Sequence, residues 1–310
     1  MQQEIRFATF NVYNLAPPGQ QLYDNLSPIS AEQYEAKLDW TARQIDLLDA
    51  DVIGFQEIFS QAALRAALAR TTNYRDAVQI GFDPEPGAER LTPSVALVSR
   101  LRLASPGTAI ARFPDGVALP DGGTCFSRPV VHAALVLSPE CTVDVVVVHL
   151  KSKRPDYRNG DNCDDALLFG MACLRSLVRR GTEAVALRVL MTRMAAEQRR
   201  PQVVLGDFND VADAVTTSIV TGCGAPLPGR LFDACQLQPR QDPLRHVGFS
   251  MINDGAYTTI DHILVSEHFN PAVPGAIGEV LDVAYLNDHL LLGLPAASDH
   301  GQVLARLRLF

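Results

Sequence analysis

Four short polar clusters, each closing an apolar run, hold the residues that could do chemistry: Thr9-Phe10-Asn11, Gln56-Glu57, Gly206-Asp207-Phe208-Asn209-Asp210 and Ser298-Asp299-His300. A strand that ends in a carboxylate, an amide or an imidazole points that group into the rim of its sheet, where several rims can converge on one ligand. The donors are of the right kind for a hard divalent cation, because magnesium prefers carboxylate and amide oxygens and rarely needs more than one or two carboxylates. Glu57 is the direct metal ligand of choice and Asn11 its neighbour, although an isolated Asn at a strand end also reads as a turn former and an isolated Glu as a solvated terminus.

Further groups extend the pattern. In Gly206-Asp207-Phe208-Asn209-Asp210, alternation places Asp207 and Asn209 on one face, where a carboxylate could order a water and an amide could donate to a phosphoryl oxygen. His149 closes the run Val145-Val146-Val147-Val148 and is followed by Lys151 and Lys153, so it reads either as a satisfied structural imidazole or as part of a phosphate clamp. Asp261 and His262 are adjacent in a strand pattern and face opposite ways, so only one of them should look into a site. His300 becomes a general base if a carboxylate fixes its tautomer.

These groups need a scaffold of strands that end together. Ile5 to Asn11 alternates into a polar loop; Ser30 and Gln33 form a capping-box pair before Tyr34, Leu38, Thr41, Ile45 and Leu48 at helical spacing. Val52 to Phe55 is a short buried strand, and Gln61 to Arg70 is an Ala-rich helix capped by Ser60. Strand patterns recur at 94–99, 130–137, 143–150, 203–205, 259–265 and 303–309. Between them, 155–200 breaks the rhythm with helical patterns on either side of Gly181, placed as a helix-ending residue, and is expected to be a helical insertion beside the site. No linker or internal repeat is visible, so 1–310 is expected to be one domain: two β-sheets face to face with helices outside.

The chain has 310 residues, 47% hydrophobic and 20% charged, with a formal net charge of -8. That balance argues against broad electrostatic capture of nucleic acid, so a polyanion must be held locally. Two places could do so: Lys151, Lys153, Arg154 and Arg158, and an arginine series from Arg175 to Arg200 that reads equally as the wet face of two helices. No apolar run is long enough to cross a bilayer and no signal-like start is visible, so the expectation is a soluble, cytoplasmic protein with no membrane attachment. The six cysteines are scattered without a Cys-x-x-Cys pair and read as free thiols.

In order along the chain, T-F-N-V, Q-E, S-R-P-V, V-H-L-K-S-K, G-D-F-N-D, I-D-H-I-L-V-S and S-D-H-G resemble the endonuclease/exonuclease/phosphatase superfamily, the deoxyribonuclease I-like enzymes. The resemblance implies a four-layered α/β sandwich with two central, mostly antiparallel sheets, and Mg2+ or Mn2+ as cofactor. Carried over position by position, it implies Glu57, Asn11 and Asp299 at the metal, His300 as base with Asp261 orienting it, and Asp207 and Asn209 positioning water. His149 would donate to a phosphoryl oxygen, and Arg128 and Lys151 would contact the substrate phosphate. Family members have been read with either the His or the Asp as base, which leaves the split between His300 and Asp207 open. The motifs look more like bacterial nuclease-type members than lipid-type ones, and the inositide signatures are absent. The implied substrate is a nucleic acid, DNA first; the alternatives are a small-molecule or lipid-headgroup phosphoester and, with every matched position filled, a non-catalytic binding protein last. No protein partner can be inferred.

Overall fold

The computed structural model describes residues 3–23, 25–83, 92–158, 160–224, 229–239 and 248–310. Along the chain these form β1 (Gln3–Leu15), α1 (Ala31–Leu48), β2 (Val52–Ile58), α2 (Gln61–Leu68), β3 (Val78–Gly81), β4 (Ser94–Ser99), β5 (Thr108–Arg112), β6 (Cys125–Ser138), β7 (Cys141–His149) and α3 (Ala166–Gln198). They continue as β8 (Gln202–Asp207), α4 (Val215–Thr221), β9 (Leu231–Asp233), α5 (Ala234–Leu237), β10 (Met251–Asn253), β11 (Ala256–Thr258), β12 (Asp261–Ser266), β13 (Gly278–Leu286), α6 (His289–Leu292) and β14 (Gln302–Leu309).

Two six-stranded sheets result, one ordered β13-β14-β1-β2-β4-β3 and the other β5-β6-β7-β8-β12-β9. Each has a single parallel pair at its centre, β1 with β2 and β7 with β8, and every other pairing is antiparallel. Parallel neighbours need a crossover, and α1 and α3 supply them. One apolar layer, including Phe7, Leu97, Val147 and Leu205, fills the space between the sheets. A second lies under α1 and α2 and a third under α3 and α4. This is the four-layered α/β sandwich.

Local chemistry explains the helix starts. Ser30 accepts from the Gln33 amide while the Gln33 side chain accepts from the Ser30 amide, closing the capping box of α1, and Ser60 caps α2 through Ala63. The sheets approach closely at Gly54, where a Cβ would lie 2.8 Å from the Leu205 Cβ. Any side chain there would have to push the two sheets apart.

The stretch after β7 departs from its sequence pattern. Residues 166–198 make one continuous helix through Gly181, which has no Cβ-level neighbour and stays helical, because an interior glycine costs about 1 kcal/mol against Ala and does not force an end. The arginine series is not a uniformly wet face either. Arg180 is buried against Asp210 and the Lys151 carbonyl, and Arg188 is buried against the carbonyls of Val220 and Gly229. Neighbouring tertiary oxygens, which helical spacing cannot reveal, draw them inward. All six cysteines are free. Among the described residues no helix is long and apolar enough to cross a membrane.

Candidate active site

β1, β2, β7 and β8 deliver their C-terminal ends to one edge of the sandwich, where a cleft of about 1040 Å³ opens. Glu57, Arg128, His149, Lys151, Asp207, Asn209, Asp299 and His300 line it, and Asn11 and Asp261 sit just beneath. All ten residues that the family resemblance carries over to the site therefore gather at one place, drawn from both sheets.

On the first sheet a bulge does the aiming. The β1–β2 register slips between Asn11 and Leu15, and Tyr13, Asn14 and Glu57 take left-handed backbone conformations with φ of 56°, 57° and 60°. Bulges of this kind turn side chains toward sites, and the three left-handed residues hold backbone strain. Glu57 is thereby swung toward the cleft, its Oε2 accepting from the Asn14 amide at 3.0 Å, while Asn11 Nδ2 donates to Asp207 Oδ2 at 3.1 Å and lies 3.5 Å from Glu57 Oε1. Burial and the nearby Asp299 push the Glu57 carboxyl upward, with the His300 charge working against them.

On the second sheet, Asp207 ends β8 opposite His149 at the end of β7 and opposite Asp261 at the start of β12. Asp207 Oδ1 accepts from the Asn209 amide at 2.7 Å, and Asn209, at φ 52°, donates its side-chain amide to the Leu150 carbonyl at 3.0 Å. Strand alternation does not bring these two together, because β8 stops at Asp207. An Asx turn does. Burial, then the Asp261 charge, raises the Asp207 carboxyl to about 7.

Two His–Asp pairs diverge from adjacent residues of β12. Asp261 Oδ2 lies 2.8 Å from His300 Nδ1, whereas His262 faces away, 2.8 Å from Asp233 Oδ2 and 2.9 Å from the Asp210 carbonyl. His300 is further fixed by Ser298, whose hydroxyl accepts from the His300 amide and donates to the Asn11 carbonyl. Burial disfavours an imidazolium at His300, but Asp261, Asp207 and Asp299 together hold it well above its ordinary value. His149 goes the other way: burial, Arg128 and His300 drive it well below, so it is a neutral ring 3.3 Å from Asp207 Oδ2.

The donor set fits a hard divalent cation. The carboxylates of Glu57 and Asp299 face the same cleft, and the buried Asn14 Oδ1 has no partner among the described residues. The tightest grouping of ligand-type atoms is a different one, Asp207, Asp261 and His300, within 4.8 Å of one another. There Asp261 Oδ2 is held by His300 and Asp207 Oδ2 by Asn11, while the buried Asp261 Oδ1 has no partner among the described residues. Oxygen donors around Glu57 are the better match to Mg2+ or Mn2+.

Sequence reasoning missed several supporting groups. The buried Glu183 of α3 accepts from the backbone amides of Ser127 (2.8 Å) and Lys151 (2.7 Å), tying down both phosphate-side loops. Ser250 Oγ accepts from the amides of Ile260 and Asp261. Glu183 acts on backbone 56 and 32 residues away and Ser250 on backbone 10 and 11 residues away, and neither lies in a motif.

The chain matches the model of the Endonuclease/Exonuclease/phosphatase family over residues 8–300, and it belongs to that family. Among solved structures it is similar to an endonuclease/exonuclease/phosphatase family protein from Bacteroides thetaiotaomicron, at 15% identity and TM-score 0.62, covering 100% of this chain and 96% of that one. It is also similar to a humanized TDP2 from D. rerio (13% identity, TM-score 0.61, 98% of each chain). A third similar structure is the human nocturnin catalytic domain with bound sulfate (15% identity, TM-score 0.60, 99% and 95%). At these identities the likeness establishes the fold. A search of curated proteins finds no match.

Proposed function

We propose that the chain is a divalent-metal-dependent phosphoesterase that hydrolyses a phosphodiester by in-line attack of water, with DNA the favoured substrate. The observation that carries this reading is the convergence at one cleft of Asn11 and Glu57, with His300 just before β14, from one sheet, and of His149, Asp207 and Asp261 from the other, the Asp261–His300 pair bridging the two.

Glu57 and Asp299 would hold Mg2+ or Mn2+, with Asn11 fixing Glu57 from outside. The bound cation would supply Lewis-acid stabilisation of charge on the phosphoryl or leaving oxygen. Asp261 holds the Nδ1–H of His300 in either protonation state, so the proton that moves is the one at Nε2, between that nitrogen and an oxygen of the reacting group. Asp207 and Asn209 orient the attacking water and meet the charge that grows on the phosphoryl oxygens. His149, kept neutral, donates a hydrogen bond without competing for the catalytic proton. Arg128, Lys151, Lys153, Arg154 and Arg179 line one side of the cleft, a local cationic wall in a chain of net charge -8. The six free thiols accord with a cytoplasmic setting.

Hydrolysis of labelled double- and single-stranded DNA, with and without Mg2+ or Mn2+ and with His300→Ala as control, tests the reading. Cleavage that disappears in EDTA and in the variant is expected. The acidic overall charge favours a second reading, a small phosphodiester or headgroup phosphoester, and folded metal-loaded protein that leaves DNA intact would shift the assignment there.

A further inference from the structure

The 33 residues of α3 span about 50 Å, far more than the strands it joins can cover. Its C-terminal part buries Ala184, Leu187, Met191 and Met194 on the second sheet, whereas the first half buries only Ala172, Ser176 and Arg180 on one side. The opposite side of that half carries Leu167, Met171, Leu174, Val178, Gly181 and Val185, a 4-3-4-3-4 spacing, with Leu177 and Gly170 alongside and no charged residue among them. They are well exposed: Leu167 72%, Met171 43%, Leu174 47%, Leu177 48%, Val178 37% and Val185 39%. A helix packed on one body needs one apolar stripe, and this helix has a second at coiled-coil spacing.

We propose that the N-terminal half of α3 is a homodimer interface, in which two copies of the helix pack antiparallel about a twofold axis near residue 176. In that register Leu167 meets Val185 of the partner subunit, Met171 meets Gly181 of the partner subunit, and Leu174 meets Val178 of the partner subunit. Each large side chain faces a smaller one, and a-type positions face d-type positions, as an antiparallel knobs-into-holes seam requires. The register also explains Gly181, where a Cβ would touch nothing within the chain, so the fold itself has no use for a glycine there. From those exposures the stripe amounts to roughly 600 Å² per chain, so a pair covering it completely would bury at most about 1,200 Å², the lower end of standard stable interfaces.

Charge favours a second copy over an anionic lipid surface. Arg175, the cation flanking the seam nearest the axis, is already engaged by Asp161 at 2.6 Å and by the Asp156 carbonyl, so two copies bring no free like charges together. The buried side of the same half-helix holds the cleft loop, through Ser176 to the Arg154 carbonyl and Arg180 to the Lys151 carbonyl. A dimer would brace that loop from behind.

Sedimentation velocity on the full chain at micromolar to 100 µM concentrations tests the proposal, with the 33.7 kDa monomer as reference. A dimer is expected, and Gly181→Leu should weaken it roughly tenfold or more by filling the hole that Met171 occupies, without lowering thermal stability. Combining Gly181→Leu with Met171→Ala should restore association by exchanging knob and hole. Leu174→Glu should give a folded monomer with unchanged circular dichroism. A wild-type monomer throughout this range overturns the proposal, as does a dimer indifferent to Gly181→Leu. A monomer that cosediments with vesicles of 4:1 phosphatidylcholine and phosphatidylserine overturns it in favour of a lipid surface.

Discussion

The two sheets are built alike and equipped differently. One half runs β1-α1-β2-α2-β3-β4 and the other β7-α3-β8-α4-β9-β12, each with a parallel pair at its centre and an antiparallel hairpin on its flank, β13-β14 in one and β5-β6 in the other. The ladder position Asn11 opposite Gln56 in the first half corresponds to His149 opposite Asp207 in the second. Gln56 is buried and bonded to the Thr9 hydroxyl, and Glu57, one residue further, reaches the cleft only through a left-handed backbone. Asp207 reaches it directly and leaves the left-handed conformation to Asn209. One rim thus presents oxygen ligands on a bulge, with His300 just before β14, and the other presents carboxylates and one imidazole, His149, on regular strand ends. Topology fixes where the rims meet and leaves the chemistry of each free.

The largest effects should come from removing one group from each rim. Glu57→Gln and Asp207→Asn are each expected to lower kcat/KM on the best phosphodiester substrate by about 10³-fold or more. The two variants should differ in rescue: raising Mn2+ should recover part of the Glu57→Gln loss by mass action and none of the Asp207→Asn loss. Rescue of Asp207→Asn alone would move the metal to the second rim, onto the Asp207, Asp261 and His300 group. His149→Ala should cost less, about 10²-fold in kcat with KM little changed, because a neutral donor is lost while the water and the metal ligands stay in place. A change confined to KM would make His149 a ground-state binding group.

Where the two halves touch, the expected effect is on stability. Gly54→Ala should destabilise the chain by about 1–3 kcal/mol in urea unfolding, since its Cβ would press on Leu205 and Val147 across the sheet interface. A neutral substitution would mean the sheets can separate locally without losing their shared core.

Much of this arrangement could be read from the sequence, for a physical reason. A buried strand that ends in polar residues must find partners for them at that end, so Asn11, Glu57, His149 and Asp207 announced themselves by position as well as by type. The capping box at Ser30 and the all-valine run of β7 were equally local signals. What stayed hidden depended on neighbours remote in sequence. β13 and β5 are edge strands, β5 largely exposed and β13 of mixed burial, so neither shows a clean alternation, and β13 also slips register between Val280 and Asp282. Glu183 looks like any helix-surface acid until loops 32 and 56 residues away fold onto it. The twofold likeness of the halves left no sequence repeat, because topology asks only for apolar residues at alternate positions.

The two His–Asp pairs on β12 sharpen the comparison within one strand, since Asp261 serves the cleft and His262 serves the outer layer. Burial penalises an imidazolium at His262, yet the Asp233 carboxylate at 2.8 Å, with the Asp210 carbonyl accepting on the other side, holds the ring above its ordinary value. A histidine whose folded value is raised binds its proton more tightly in the native state. Its contribution to stability is therefore complete below the unfolded value, about 6.5, and is lost as pH rises through the higher folded value. Asp233→Asn keeps a side-chain oxygen for the Cys235 amide and removes the charge that holds the proton. The gap in Tm between the wild type and this variant should be widest at pH 5–6 and narrow toward pH 9, at about 2–4 °C for each kcal/mol. A gap that stays constant across that range would show His262 to be a neutral ring whose partnership with Asp233 is structural alone, leaving the cleft-facing pair as the only one on β12 that carries charge.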